Sequence, residues 1–203
     1  MDIYSTRVKE IKNRWQELRD NEETAKLRIR DAAELLGYSE AQLLSTKVPD
    51  TVSFLKISNI HDFFIDIKKL KKIMILSRNE IAVHEKIIET ASLRILRKEK
   101  SICILADNFE LEIDEAFFKY AFAESSDHGK SKLHSFQFFD RLGNSVLKIY
   151  LKSDLLDIYN QTLLKYQSKY NYELQRDDSE LINIETTIFK SLHSTLSNFK
   201  KLE

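Results

Sequence analysis

The side chains best suited to metal or acid–base chemistry are five histidines, which are scattered along the chain. They are His61, His84, His128, His134 and His193. The sequence lacks clustered Cys and His zinc motifs, a phosphate-binding glycine loop, a Gly-x-Ser-x-Gly motif and a His-Glu-x-x-His motif. We therefore predict neither a metal site built from several imidazoles nor a set of catalytic residues.

A cluster of aromatic residues in the second half of the chain is the other group able to bind a ligand. Its members are Phe117, Phe118, Tyr120, Phe122, Phe136 and Phe138. Aromatic walls favour a pocket for a flat apolar ligand, but aromatic residues with this spacing also fill hydrophobic cores. Lys119, Lys130 and Lys132 either contact anionic groups of a ligand or form a solvated rim.

The composition limits the classes of protein to which the chain can belong. Its 203 residues, 42% of them hydrophobic, suffice for one domain, or one domain with an appended segment. The 32 basic and 32 acidic residues balance, which argues against a general nucleic-acid binder. The single cysteine, Cys103, cannot form an intrachain disulfide and suits a cytoplasmic location. No signal peptide is evident, and no apolar run approaches the ~20 residues that span a bilayer.

The N-terminal third is predicted to be helical. Val8, Ile11, Trp15 and Leu18 recur at helical spacing. Residues 27–36 form a second helix that ends at Gly37. A third short helix starts from a capping box made by Ser39 and Gln42 and runs to about residue 45.

A helix, a glycine turn and a second helix also resemble a DNA-reading helix-turn-helix. If it bound DNA, the second helix would need basic and amide side chains that point into the DNA groove. It offers Glu40, Gln42 and Ser45 instead, so packing on the sheet is the favoured interpretation.

Runs of apolar or alternating residues predict a set of strands after residue 50. The strands span residues 52–57, 73–76, 81–88, 91–96, 102–105, 109–113, 132–140 and 145–151. A helix capped by Asn59 follows the first strand, and the period becomes helical again from Asp154 and in residues 179–200. Residues 115–123 are assigned to a short aromatic helix or a broad loop, and 125–130 to a surface loop.

These elements predict an α+β fold, in which an antiparallel β-sheet carries helices at the N-terminus and the C-terminus. The predicted domain spans residues 1–154. Residues 155–203 form a C-terminal helical segment that packs on it.

Three segments carry motifs that resemble one family. Residues 27–43 read LRIRDAAELLGYSEAQL, residues 73–88 read IMILSRNEIAVHEKII, and residues 135–140 read SFQFFD, with VLKIYL after a Gly-Asn turn. In the same order, these segments are similar to motifs of the HemS/HmuS/ChuS-type haemin-utilisation proteins. Those proteins are about twice as long and have two similar halves. The chain resembles the first half and the helices that follow it.

The resemblance implies a haem site. One imidazole suffices for haem iron because the porphyrin supplies four nitrogens. The family's ligand is a histidine on the helical segment after the first sheet, which makes His193 the candidate ligand here and His134 the second choice. The aligned position itself holds Leu196, one helical turn beyond His193. The candidate haem contacts are Phe117, Phe118, Lys119, Phe136, Phe138 and Phe189.

The same resemblance assigns structural roles and raises one conflict. The motif residues are Arg78, Asn79, Glu80, His84, Glu85 and Lys86. We expect their charges to pair with each other and hold a hairpin together, with His84 as a buried core residue. Glu112 stands where the family has an arginine facing haem, so it either repels the propionates or is a solvated outward position.

The leading prediction is a cytoplasmic haem-binding protein of haem and iron utilisation, which carries imported haem or helps degrade it. Its partners would be haem and a downstream acceptor protein, with no membrane and no nucleic acid. One alternative is a scaffold without haem that self-associates. The other is a small helix-turn-helix regulator. The sequence leaves open whether the protein is an enzyme.

Overall fold

The computed structural model describes residues 3–79, 82–129 and 131–168. Within them lie five α-helices: α1 (Ile3–Asp20), α2 (Ile29–Leu36), α3 (Glu40–Ser45), α4 (Ile60–Ile67) and α5 (Leu156–Tyr166). The nine strands are β1 (Val52–Leu55), β2 (Lys72–Arg78), β3 (Val83–Glu89), β4 (Arg94–Arg97), β5 (Ser101–Ala106), β6 (Phe109–Asp114), β7 (Tyr120–His128), β8 (Ser131–Phe139) and β9 (Ser145–Leu151).

The strands form two antiparallel sheets. Six strands make the larger sheet in the order β1-β7-β8-β9-β2-β3, and the other three make a meander in the order β4-β5-β6. The two clearest predicted hairpins, β2–β3 and β8–β9, are both present in this sheet. The predicted α+β class with antiparallel strands is confirmed.

The main hydrophobic core lies on one face of the large sheet, where α4, α5 and the small sheet cover it. Alternate residues of β8 and β9 point into this core, including Phe136, Phe138, Leu147 and Ile149. Tyr159 of α5 is fully buried against the sheet, and its ring stacks on Phe136 with centroids 4.6 Å apart.

The opposite face carries the N-terminal helices over β1, β7 and β8. Ala41 and Leu44 of α3 pack against Phe122 and Phe139. Further out, Ile11 and Trp15 of α1 pack with Leu43 of α3 and two alanines of α2. Because the helices cover only part of this face, the strands β9, β2 and β3 carry half-exposed side chains there.

The predicted helix boundaries are confirmed where a specific cap fixes them. Gly37 ends α2 with φ +72°, and Ser39 and Gln42 form the capping box of α3. The Asn59 side chain accepts hydrogen bonds from the backbone of His61 and Asp62 at the start of α4.

One region was predicted wrongly. Residues 120–128 are neither a helix nor a loop but the strand β7, which pairs with β1 on one side and β8 on the other. Only residues 115–117 form a helical turn, of the 3₁₀ type. The polar residues 125–128 hold a strand because the neighbouring β8 satisfies their backbone, whatever their side chains prefer.

The helix-turn-helix interpretation is also wrong. Every residue of α3, the helix that would read DNA, is buried between α1, α2 and the sheet. Its Glu40 and Gln42 are only 5% and 4% exposed. A helix enclosed on all sides has no face to offer to a DNA groove.

Among the described helices there is no candidate for a membrane-spanning segment.

Candidate ligand-binding site

A cleft at one end of the large sheet collects three of the predicted ligand contacts. The end of β1 and the start of α4 form one side of it, and the start of β7 and the end of β8 form the other. Its volume is about 370 Å³. Phe118, Lys119 and Phe138 line it, together with Leu55, Lys56, Ile57, Ser58, Ile60, Glu115, Tyr120 and Ala121. Ligand pockets span roughly 300–1,000 Å³, so the cleft can accept part of a flat molecule.

The wall of the cleft is aromatic because the chain turns sharply before β7. Phe118 is half-buried, and its ring contacts Phe138 edge-on with centroids 5.3 Å apart. The next residue, Lys119, is exposed, and its backbone N–H donates to the Phe139 carbonyl at 2.9 Å. This hydrogen bond fixes the corner that places an apolar ring and a cation side by side.

The charges at the cleft favour an anionic group on the ligand. Lys56 and Lys119 are both exposed cations of the lining. The carboxylate of the lining, Glu115, is paired with Arg97 at 3.1 Å. Since that pairing offsets the acidic charge, the two lysines dominate the electrostatics of the lining.

The other aromatic candidates lie outside the cleft lining. Phe136 is 0% exposed and enclosed by Phe63 and Tyr159, so it is a core residue and not a wall of the cleft. Phe117 is half-buried and packs against the main core. Because side chains alternate along β8, Phe136 points into the core. The sequence pattern is the same for a core residue and for a residue in the wall of a pocket.

His134 lies on the same sheet face as Phe138 but four residues earlier on β8, about 13 Å along the strand. Its Nδ1 is 2.8 Å from the Ser125 hydroxyl, and its ring contacts Tyr159 at 5.2 Å. Burial and the nearby Lys132 lower the pKa of His134. A neutral imidazole can bind iron, but this one stands away from the cleft.

The first-choice iron ligand, His193, and the predicted contact Phe189 lie outside the described residues, as does Leu196. The described chain ends beside the cleft, because Ser168 donates its N–H to the Phe54 carbonyl at 2.8 Å and Gln167 bridges to Leu55. His193 lies 25 residues after Ser168 in the sequence.

The residues that carry the family resemblance meet elsewhere, at a structural junction. Arg78 at the end of β2 forms a buried ion pair with Glu40 at the start of α3. The Ser145 N–H approaches the same carboxylate at 3.5 Å, and Ala41 donates its N–H to the Gly143 carbonyl at 3.0 Å. All three motif segments therefore converge on the first turn of α3.

This junction corrects the predicted pairing of the motif charges. Arg78 pairs with the distant Glu40, and among the described residues of the hairpin it has no ion pair. Among the described residues, Glu85 and Lys86 form no ion pair with each other, and Glu80 lies outside that part of the chain. No local pattern indicates this partner, because Glu40 lies 38 residues before Arg78 in the sequence.

Two other motif residues have local roles. Asn79 closes the corner of the hairpin, since its side chain accepts from the Ala82 N–H at 2.8 Å. His84 is exposed and not the buried core residue that we expected, although its ring lies 5.3 Å from that of Phe109. Its position on the edge strand β3 leaves one side of the ring in solvent.

Glu112 occupies a solvated outward position, which was one of the two interpretations of this residue. It lies on the outer face of the small sheet, where it pairs with Lys98 and accepts from the Ser101 hydroxyl at 2.6 Å. Hydrogen bonds from Lys98 and Ser101 lower the pKa of Glu112. Its charge is therefore engaged by neighbours and does not belong to the cleft lining.

A second, more open cleft of about 490 Å³ lies between α1, the turn after α3 and the end of β7. Its lining is largely charged, and it contains none of the predicted site residues. Among the described residues, no group of three or more His, Cys, Asp or Glu side chains is arranged to hold a metal ion.

The fold matches known structures. Holo-PhuS, a haem-binding protein from Pseudomonas aeruginosa, aligns with a TM-score of 0.71 and 26% identity, over 80% of this chain and 46% of that one. The haem-degrading enzyme ChuS of Escherichia coli O157:H7 aligns with a TM-score of 0.72 and 22% identity, over 88% and 54%. The haem-binding protein ChuX aligns with a TM-score of 0.61 and 11% identity, over 75% and 97%.

The class of protein follows from the sequence as well as from the fold. The family described as the haemin-degrading HemS/ChuX domain matches residues 37–168, which is more than half of the chain. The chain belongs to this family. It spans about half the length of PhuS and ChuS. No curated protein sequence matches it.

Proposed function

We propose that the protein binds haem and acts in bacterial haem and iron utilisation. The observation that supports this most directly is the cleft lined by Phe118 and Lys119, with the core residue Phe138, 1% exposed, at its base. A porphyrin is flat and apolar, with two carboxylates at one edge. Aromatic and aliphatic side chains would cover part of its ring, while Lys56 and Lys119 would pair with its carboxylates.

His193 is the proposed iron ligand. The described chain ends at the rim of the cleft, and the twenty-five residues up to His193 can reach across it even in a compact conformation, at ~1.5 Å per helical residue. A single imidazole completes the coordination that the porphyrin begins. His134 is the second candidate, and a haem bound there would lie outside the cleft, because His134 is about 13 Å from Phe138 along β8.

No residue is assigned a catalytic role. The proposal is confined to binding and delivery of haem to an acceptor protein. The buried, reduced Cys103 supports a cytoplasmic location.

Titration with hemin tests the iron ligand. We expect a shift of the Soret band in the wild-type protein and loss of that shift in His193→Ala. His84→Ala, which removes an exposed imidazole, should leave the spectrum unchanged. An unaltered Soret shift in His193→Ala would reject His193 and move the test to His134→Ala.

Metal-free protoporphyrin IX tests the cleft separately from the ligand. Its fluorescence should report binding in both the wild type and His193→Ala, because the ring contacts remain. Phe118→Arg should weaken that binding at least about tenfold by placing a charge in the apolar wall. The control is Lys98→Met, which changes a residue between β4 and β5 that does not line the cleft, and it should leave the binding unchanged.

Self-association is a second candidate function, and the exposed edge strand β3 favours it. Val83 and Ile87 are 59% and 54% exposed there, and an edge strand with exposed apolar residues can pair with another copy. Light scattering across a range of concentrations tests this proposal. A constant monomer mass would reject it.

A further inference from the structure

The strand β3 forms one edge of the large sheet, and the hydrogen bonds of its hairpin show which of its backbone groups are free. At one end of the hairpin, Asn79 donates its N–H to the Ala82 carbonyl at 3.0 Å. At the other end, Thr90 donates to the Lys71 carbonyl at 2.7 Å. Opposite pairs in an antiparallel ladder are alternately hydrogen-bonded and non-hydrogen-bonded. The even-numbered residues of β3 therefore bond to β2.

The odd-numbered residues Val83, Glu85 and Ile87 turn their backbone groups toward the open edge. Within residues 3–79, 82–129 and 131–168, the N–H and C=O groups of these three residues form no hydrogen bond. Such a row of unpaired groups can pair with an additional strand. It extends over about 14 Å, which is long enough for a strand of five residues.

The side chains of the same three residues form an apolar, acidic and apolar row on one face of the sheet. Val83 and Ile87 are 59% and 54% exposed, and Glu85 between them is also exposed. Alternate residues of a strand share a face, and Ile88 points into the main core. The row therefore lies on the opposite face, which the N-terminal helices cover only in part.

The charge of Glu85 is not neutralised by its neighbours. The residue opposite Glu85 on β2 is Leu76. Arg78, which is diagonal to Glu85 on β2, pairs with Glu40. Within the described part of the chain, Glu85 forms no ion pair. A carboxylate in the middle of an edge strand favours a cation on the strand that pairs with it.

A second copy of β3 does not supply that cation. In a two-fold antiparallel pair, one residue lies opposite its own copy. Registers centred on residues 84, 85, 86 and 87 place Val83, Glu85, Ile87 and Glu89, respectively, opposite Glu85. Like charges that are directly opposite destabilise a pair of strands. The apolar residues favour strand pairing in general, but the charge of Glu85 favours a partner of different sequence.

We propose that β3 binds an extended segment of another protein as a seventh, antiparallel strand of the large sheet. The segment has the pattern apolar–x–basic–x–apolar. Its basic residue lies opposite Glu85, and its apolar residues lie opposite Val83 and Ile87. The surface shares no residue with the cleft of Phe118, so it is independent of haem binding.

Two fluorescein-labelled peptides test the charge selection on the full-length protein. Their sequences, TVTKTVT and TVTETVT, differ only at the central position, and fluorescence anisotropy measures each Kd. We expect the lysine peptide to bind about fivefold more tightly, because it replaces a like-charge pair by an opposite-charge pair. Equal Kd values, or no binding of either peptide at millimolar concentration, would overturn the proposal.

Charge reversal in the protein provides the matched variants. Glu85→Lys should invert the preference, so that the glutamate peptide binds more tightly, and Glu85→Gln should abolish the preference. Glu99→Lys makes the same charge change at an exposed residue between β4 and β5, and should leave the preference as it is in the wild type. A preference for lysine that persists in Glu85→Lys would contradict the proposed register.

N-methylation of the lysine peptide tests the backbone pairing. A methyl group on the central lysine N–H removes a hydrogen bond to Glu85 and should weaken binding about tenfold. A methyl group on the next threonine N–H, which points away from β3, should have a much smaller effect. Equal effects would reject strand pairing. A wild-type dimer that the lysine peptide fails to dissociate in light scattering would also reject the proposal, because a second copy would then occupy the edge.

Discussion

The ion pair between Arg78 and Glu40 joins two distant parts of the chain at a point that is almost closed to water. Glu40 is 5% exposed, and Arg78 ties the end of β2 to the first turn of α3. A buried charge that loses its partner is costly, whereas an exposed ion pair contributes little. The stability of the fold should therefore depend strongly on each partner.

Arg78→Ala should lower the free energy of unfolding by about 3 kcal/mol, because it leaves the Glu40 carboxylate buried and unpaired. Denaturant unfolding measures this change, and Arg94→Ala, an exposed arginine on β4, is the control. The double variant with Glu40→Ala should lose less than the sum of the two single variants. Strict additivity would show that the two side chains do not interact.

Asp66 is a second buried charge, and its role can be tested by pH. Burial raises the pKa of its carboxyl, but hydrogen bonds from Lys165, Lys69 and Tyr166 outweigh this and lower it from 3.8 to about 2. A carboxyl with a depressed folded-state pKa stabilises the protein above its unfolded pKa. That stabilisation is lost as the pH falls from about 4 through about 2.

This lowering of the Asp66 pKa corresponds to a loss of about 2 kcal/mol in the free energy of unfolding between pH 5 and pH 2. Asp66→Asn should lower stability at pH 7 and remove this part of the acid dependence. Unfolding curves at several pH values measure both effects. Asp62→Asn, an exposed carboxylate on the same helix, should leave the acid dependence as it is in the wild type.

At the level of elements, the turn between β8 and β9 is held against α3 by a glycine. Gly143 has φ +78°, and a Cβ atom built there would lie 2.3 Å from the Ser39 hydroxyl oxygen. Gly37 has a similar φ of +72° but open space around it. The two positions separate the cost of backbone strain from the cost of a steric clash.

Gly37→Ala should cost about 1 kcal/mol, which is the strain of a left-handed non-glycine residue. Gly143→Ala should cost clearly more, because it also forces Ser39 and the capping box of α3 to move. Thermal unfolding of the two variants makes the comparison. Equal losses of stability in the two variants would show that Ser39 can move away from the added methyl group at no cost in free energy.

The strand β7 shows where sequence reasoning failed at this level. Tyr120 and Phe122 face the N-terminal helices, while Ala121 and Ala123 face the main core. A strand covered on both faces has no apolar–polar alternation, so the pattern could not separate it from a helix. The alanines were a usable signal, since small residues allow α4 and α5 to pack closely on the sheet.

For the whole molecule, α5 completes the main core. Tyr159 is 1% exposed and donates its hydroxyl to the Ser135 carbonyl at 3.1 Å. Tyr166 packs on Phe63 and bonds to Asp66 at 2.8 Å. These contacts concern the predicted domain boundary at residue 154, because they join α5 to the sheet. The boundary itself stays a prediction.

Two truncations test that boundary. A chain ending at Ser168 should unfold cooperatively, because the described sheets and helices are all retained. A chain ending at Asp154 should lose cooperative unfolding, because removal of Tyr159 and Tyr166 opens the core. Circular dichroism during thermal unfolding measures both. Cooperative unfolding of the shorter chain would place α5 outside the domain.

Features that depend on neighbours along the chain could be predicted from the residues alone. These include the caps at Gly37, Ser39 and Asn59, the two main hairpins, the α+β class and the family. Local hydrogen bonds and side-chain periodicity fix such features. The tertiary contacts settled that Arg78 pairs with Glu40, and that Phe136 belongs to the core while Phe118 lines a cleft. Those outcomes depend on which distant strands pair and on which faces of the sheet the helices leave open. Patterns of neighbouring residues in the sequence do not predict either.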